Sequence, residues 1–241
     1  MSLSGARDRW RHEASRLGRS ALLAPPAIVL AAGALVLSTA ARSGAPVARL
    51  AAGVVEMGLP LAVGIVVAGL VSSDPLLELQ LSLPTTFRVT LARRVALLLG
   101  WAGALAALGT VALVLGGRWP GRGINAQTQL VWLAPMILLA GLGLAAGALT
   151  ARGIVGTATV GALWILQVVD PGVFVAHRAG RLLYLFANGR VPGAPYTVNG
   201  RLTSVWAHDR GLLLAAGLGL TVMAWIALRS PERLLRGAQS T

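Results

Sequence analysis

The sequence predicts an all-α integral membrane protein with six transmembrane helices. Three observations carry this. Over 241 residues the chain is 56% hydrophobic and only 12% charged, with a mean hydropathy of +0.73, too apolar for a soluble domain of this size. It contains six apolar runs, each near the roughly 20 residues that cross a hydrocarbon core about 30 Å thick. Its charges gather at the ends of those runs. The boundaries expected are 22–41, 50–72, 94–117, 129–150, 153–171 and 211–229.

Residues 1–20 form a separate polar element before the six-span domain at 21–241. Leu3, Ala6, Trp10, Ala14, Leu17 and Ala21 recur at three- and four-residue spacing, while Arg9, Arg11, Arg16 and Arg19 fall elsewhere on the wheel. This pattern suits an amphipathic helix lying in the headgroup plane. A signal peptide, with Ser38-Thr39-Ala40 as its cleavage site, is the rival reading; the uncharged run 20–41 is long for one.

Ala151-Arg152 is so short a connection that the fourth and fifth spans form a tight antiparallel pair. Gly141, Gly143 and Gly147 in one and Gly153, Gly156 and Gly161 in the other offer backbone-to-backbone approach, unless they only reflect a Gly-rich composition. The segment 172–210 is too apolar for a solvent linker. Val173-Phe174-Val175 and 182–186 flank His177, Arg178 and Arg181, Asn188-Gly189 is a helix stop, and 201–208 is expected as a second short helix. The alternative is an interfacial hairpin anchored at headgroup level by Tyr184, Tyr196 and Trp206.

All 21 basic residues are Arg, against 8 Asp and Glu, a net charge of +13. With the N-terminus inside, twelve arginines are cytoplasmic and nine external, five of the nine in the long last loop that weighs least in such a count. Both termini and the segment 73–94 then face the cytoplasm, in a cell (inner or plasma) membrane. The arginines form no basic block with interleaved aromatics, so anionic membrane lipids, and no nucleic acid, are the expected partners. The absence of Lys rules out a Walker A loop of the chain's own, and the absence of Cys removes thiol nucleophiles, disulfides and thiolate metal sites. No catalytic or metal-binding pattern stands out, and His12, His177 and His208 lie in polar flanks as surface histidines.

Few polar groups lie inside the spans, and those that matter most are Glu56 early in the second, and Gln167 and Asp170 near the end of the fifth. A carboxylate in hydrocarbon is costly and normally faces protein or a watered cavity. Glu56 is expected to form a structural clamp with Arg49 or an arginine of the last loop, with a role along a substrate path as the alternative.

The most informative connection is 73–94. Asp74-Pro75 opens a helix, because Asp is a good N-cap and Pro is tolerated at the first helical position. Leu76, Leu77, Leu79, Leu81 and Leu83 make that helix apolar, Glu78 and Gln80 give it one polar side, and Pro84 ends it. Thr85 or Thr86 can cap a second helix carrying Arg88, Arg93 and Arg94 into the third span.

Taken with Glu56-Met57-Gly58-Leu59-Pro60, the order Asp74-Pro75-Leu76-Leu77-Glu78-Leu79, Leu81-Ser82-Leu83-Pro84-Thr85 and Arg93-Arg94 resembles the permease subunits of type-2 ABC exporters. The resemblance implies a six-span plan with an N-terminal connecting helix. It makes 73–94 a coupling helix that touches the ATPase through Asp74, Leu76, Glu78, Leu79, Leu83, Pro84 and Arg88, and gives 172–210 re-entrant external helices. It also implies a second permease copy or paralogue and two separate ATPase subunits. No cofactor is expected in this chain, ATP and Mg being bound by the partner. The cargo would be amphiphilic: lipid-like, a peptide or a drug. Rival functions are a gradient-driven secondary transporter and a non-transport scaffold or assembly factor.

Overall fold

The structure, a computed structural model, describes residues 19–43, 51–71, 87–117, 126–177, 180, 182–186, 197–198, 201–202 and 204–229. The N-terminal element up to residue 18, the coupling residues Asp74, Leu76, Glu78, Leu79, Leu83 and Pro84, and the loop residues Arg178, Arg181, Asn188-Gly189 and Tyr196 lie outside the described residues.

Among the described residues six long or medium helices stand out: α1 (Arg19–Ser43), α2 (Ala51–Gly69), α3 (Phe87–Leu115), α4 (Ala126–Thr150), α5 (Gly153–Val169) and, after a short α6 (Pro171–Ala176), α7 (Ser204–Ala227). Among the described residues four helices, in α2, α3, α4 and α7, are long and apolar enough to cross a membrane, and two shorter apolar helices lie in α1 and α5. The protein is α-helical and membrane-embedded.

Prolines remove helical donors in α1, α2 and, at Pro135, α4; the breaks in α1 and α2 are each met by a tryptophan. α1 contains Pro25 and Pro26. Proline has no N–H, so Pro26 cannot bond the carbonyl of Leu22 one turn earlier. The Trp101 indole of α3 donates to that carbonyl instead, at 3.1 Å. In α2, Pro60 likewise cannot bond the Glu56 carbonyl, and its ring crowds it. The helix answers by widening: Val54–Gly58 is a π turn in which the Leu59 N–H reaches the Val54 carbonyl. Here too a tryptophan arrives, Trp164 of α5 donating to the Met57 carbonyl at 3.2 Å.

α4 is the hub, packed by α7, α2 and α5. Close approach is glycine's work. A Cβ at Gly143 would stand 2.7 Å from the Gly64 carbonyl of α2, and one at Gly156 would strike the Gly143 carbonyl. Gly141 does not serve the α4–α5 pair as expected: it faces α7, where a methyl would collide with the Gly217 carbonyl. Gly161 has nothing near it. The expected tight pair does form, closed by Ala151 in the left-handed region (φ 55°) with the Arg152 N–H bonded to the Gly147 carbonyl at 3.2 Å.

After α5 the chain departs from expectation. Residues 201–208 are not a second short helix. Arg201–Leu202 pairs antiparallel with Thr197–Val198, Val198 opposite Arg201, and α7 starts at Ser204, well before residue 211. The signal was present as Asn199-Gly200 between the paired residues, the strongest short-range hairpin sequence.

Candidate functional site

The start of α2, the end of α5 and the start of α7 meet at one end of the bundle, and each brings one polar side chain inward. Glu56 comes from the π turn, Gln167 from the last turns of α5 and Arg210 from the second turn of α7. All three are buried, with 3%, 1% and 3% of their surface exposed.

Residues 180 and 182–186, between α6 and the hairpin, reach into this end. Gly180 makes the return possible, passing so close to the Phe174 backbone that a Cβ would clash with it. A turn follows, the Leu183 N–H bonding the Gly180 carbonyl at 3.0 Å. Tyr184, Leu185 and Phe186 are then buried against Phe174, Trp206, Leu139 and Val160, with Trp164 and Leu163 packed on the same cluster. Phe186 meets the edges of Trp164 (centroids 6.2 Å apart) and Tyr184 (5.7 Å).

Two side chains hold that backbone. The Gln167 amide donates from Nε2 to the Leu183 carbonyl at 3.0 Å, and its Oε1 accepts the Leu185 N–H at 2.8 Å. Arg210 donates from Nη1 to the Leu185 carbonyl at 2.7 Å, and its guanidinium lies 5.7 Å from the centre of the Trp206 ring. Its Nη2 stands 4.0 Å from Glu56 Oε1, the outer limit of an ion pair. A buried guanidinium beside a buried carboxylate, with main-chain acceptors taking further donors, is how opposite charges persist in a low-dielectric interior.

The expected clamp of Glu56 with an arginine of the last loop therefore has its partner in Arg210, which belongs to α7. Asp170 stands apart, exposed between α5 and α6. His177 and His208 are exposed. Tyr184 and Trp206 are buried at 6% and 1% exposure, so they are core residues and not headgroup anchors. Sequence reasoning missed the part played by Gln167 and by Trp164: nothing in a lone Gln or Trp near a helix end tells which backbone will be laid against it.

At the opposite end, Arg88 on the first turn of α3 stacks over Trp225 near the end of α7, 5.5 Å from its ring centre. Arg94, one and a half turns further along α3, is buried. Among the described residues no group of three or more His, Asp or Glu is placed to hold a metal ion. No protein family, curated protein or solved structure matches the chain.

Proposed function

We propose that this chain is the transmembrane permease subunit of an ATP-driven exporter of the type-2 ABC kind, working as a pair of permeases with two separate ATPase subunits in a cell membrane. In this reading α1 and α5 also cross, giving six spans. The abundance of Arg at the ends of α3 and α7 where Arg88 and Arg229 lie puts that end in the cytoplasm and the Glu56–Arg210 end outside. The observation that carries the proposal is the Pro-bounded, Leu-rich segment between α2 and α3, with Asp74-Pro75 at its head, Pro84 at its foot and Arg88, Arg93 and Arg94 beyond. It leads directly into α3, a loosely held helix: 22% of its most apolar window is buried, against 72% for α4. A push on such a segment moves α3 before it moves the hub. ATP-driven closure of the ATPase subunits would then be converted into alternating access between the paired permeases.

Leu79→Asp is expected to abolish capture of the ATPase and transport-coupled ATP turnover while leaving the permease folded, because apolar knobs dominate docking. Glu78→Ala should weaken both less, as exposed charges contribute little. Full ATPase binding and stimulated turnover by Leu79→Asp would remove the coupling role from this segment.

A further inference from the structure

We infer that Gln167 and Arg210 form a recognition site for extended peptide backbone, which the chain's own residues 183–186 occupy, and that an apolar peptide competes for it. The argument rests on what the two side chains bind. Gln167 takes the carbonyl of one residue and the N–H of the next but one, the two groups that flank Tyr184, at 3.0 and 2.8 Å. An extended chain points these two groups the same way, so a primary amide spans them as a neighbouring strand would. Arg210 completes the set on the Leu185 carbonyl. All three bonds go to main-chain groups, so nothing in them is particular to the sequence Leu-Tyr-Leu-Phe.

The side chains of the segment enter an apolar and aromatic surround built from α4, α5, α6 and α7, where Leu185 is fully buried. Few directed polar groups in an apolar recess are the makings of a ligand site. Its occupant is also weakly anchored by local structure. Residues 184–186 belong to no helix or strand, and one turn bond, Leu183 N–H to Gly180, precedes them. Withdrawing residues 184–186 breaks the Gln167 and Arg210 bonds to the main chain and no helix or strand. The Arg210–Glu56 pair lies beneath and keeps the guanidinium compensated when its carbonyl partner leaves.

As a cargo site this rests on the exporter reading and narrows the cargo to peptides with apolar side chains. As a peptide site it stands without that reading, and the test needs no ATPase. The chain has no cysteine, so Leu185→Cys supplies a single thiol. In the full chain in nanodiscs that thiol should react slowly with a maleimide, and faster when acetyl-Leu-Tyr-Leu-Phe-amide is added. N-methylating the second leucine of the peptide removes the N–H that Gln167 accepts and should weaken competition about tenfold, the worth of one buried hydrogen bond. Amide exchange at residues 184–186 of the unaltered chain should rise with the same peptide, and Gln167→Leu should raise it without peptide. If the peptide leaves both labelling and exchange at their starting rates, the segment is fixed core and the inference fails. It fails equally if the N-methylated peptide competes as well as its parent, since the effect is then apolar partitioning. Full ATPase binding and stimulated turnover by Leu79→Asp, with peptide competition intact, would instead overturn the exporter reading alone.

Discussion

α4 and α3 are equally apolar, both carry three glycines in their membrane stretch, and they live in different surroundings. In α4, 72% of the most apolar window is buried; in α3, 22%. The glycines of α4 meet backbone: Gly141 the Gly217 carbonyl, Gly143 the Gly64 carbonyl, and Gly147 Val71 and the Ala68 carbonyl. Those of α3 meet side chains or nothing, Gly100 having open space, Gly103 the Trp132 ring at 3.7 Å and Gly109 Val55 at 3.2 Å. In lipid no hydrophobic force separates core from surface, so hydropathy cannot say which helix is central. What makes α4 central is that its glycines meet carbonyls of both α2 and α7, while its own Gly143 carbonyl meets Gly156 of α5.

The comparison breaks most visibly at Gly217, where a Cβ would stand 2.7 Å from the Ile137 carbonyl group, which is backbone and cannot step aside. Gly217→Val should cost about 3 kcal/mol or more, through forced separation of α4 and α7. Gly100→Ala, on the peripheral helix, should be neutral or stabilise by up to about 1 kcal/mol. Reversible unfolding in mixed micelles, followed by tryptophan fluorescence, measures both. Equal losses would mean that α3 is as tightly held as α4.

Next comes the polar end. Arg210→Met strands a buried Glu56 and frees the Leu185 carbonyl, an expected loss of about 3–5 kcal/mol. Adding Glu56→Gln should recover part of it, because the uncompensated carboxylate is then gone. A double variant no more stable than Arg210→Met alone would show that the 4.0 Å pair contributes nothing to stability.

Smaller effects sharpen the contrast at the helix breaks. Trp101→Phe leaves the Leu22 carbonyl without its indole donor and should cost about 0.6–1 kcal/mol, loosening α1 from α3. Differential labelling along α1 would detect that separation with global stability nearly unchanged. Ala151→Gly should gain about 0.5 kcal/mol: the left-handed φ of 55° strains alanine, and the greater freedom of unfolded glycine offsets part of the relief. Unchanged or lower stability would show that the Ala151 methyl, packed on the core, outweighs its backbone strain.

Much of this was legible in the residues. Composition and run length determined an α-helical membrane protein, because a chain this apolar has to bond its backbone internally in lipid. The short Ala151-Arg152 link determined an antiparallel α4–α5 pair, and Pro26 and Pro60 determined where helical hydrogen bonds would fail, since proline lacks the donor wherever it stands. A partner for Glu56 was also foreseeable from the cost of a lone carboxylate in hydrocarbon. Only the tertiary structure decided that the partner is Arg210, that Trp101 and Trp164 serve the carbonyls near the two breaks, and that Gln167 holds the backbone of Leu183 and Leu185. Those choices depend on which helix ends meet. Main-chain carbonyls look alike at every position, so no sequence pattern marks the one that a distant indole, amide or guanidinium will find.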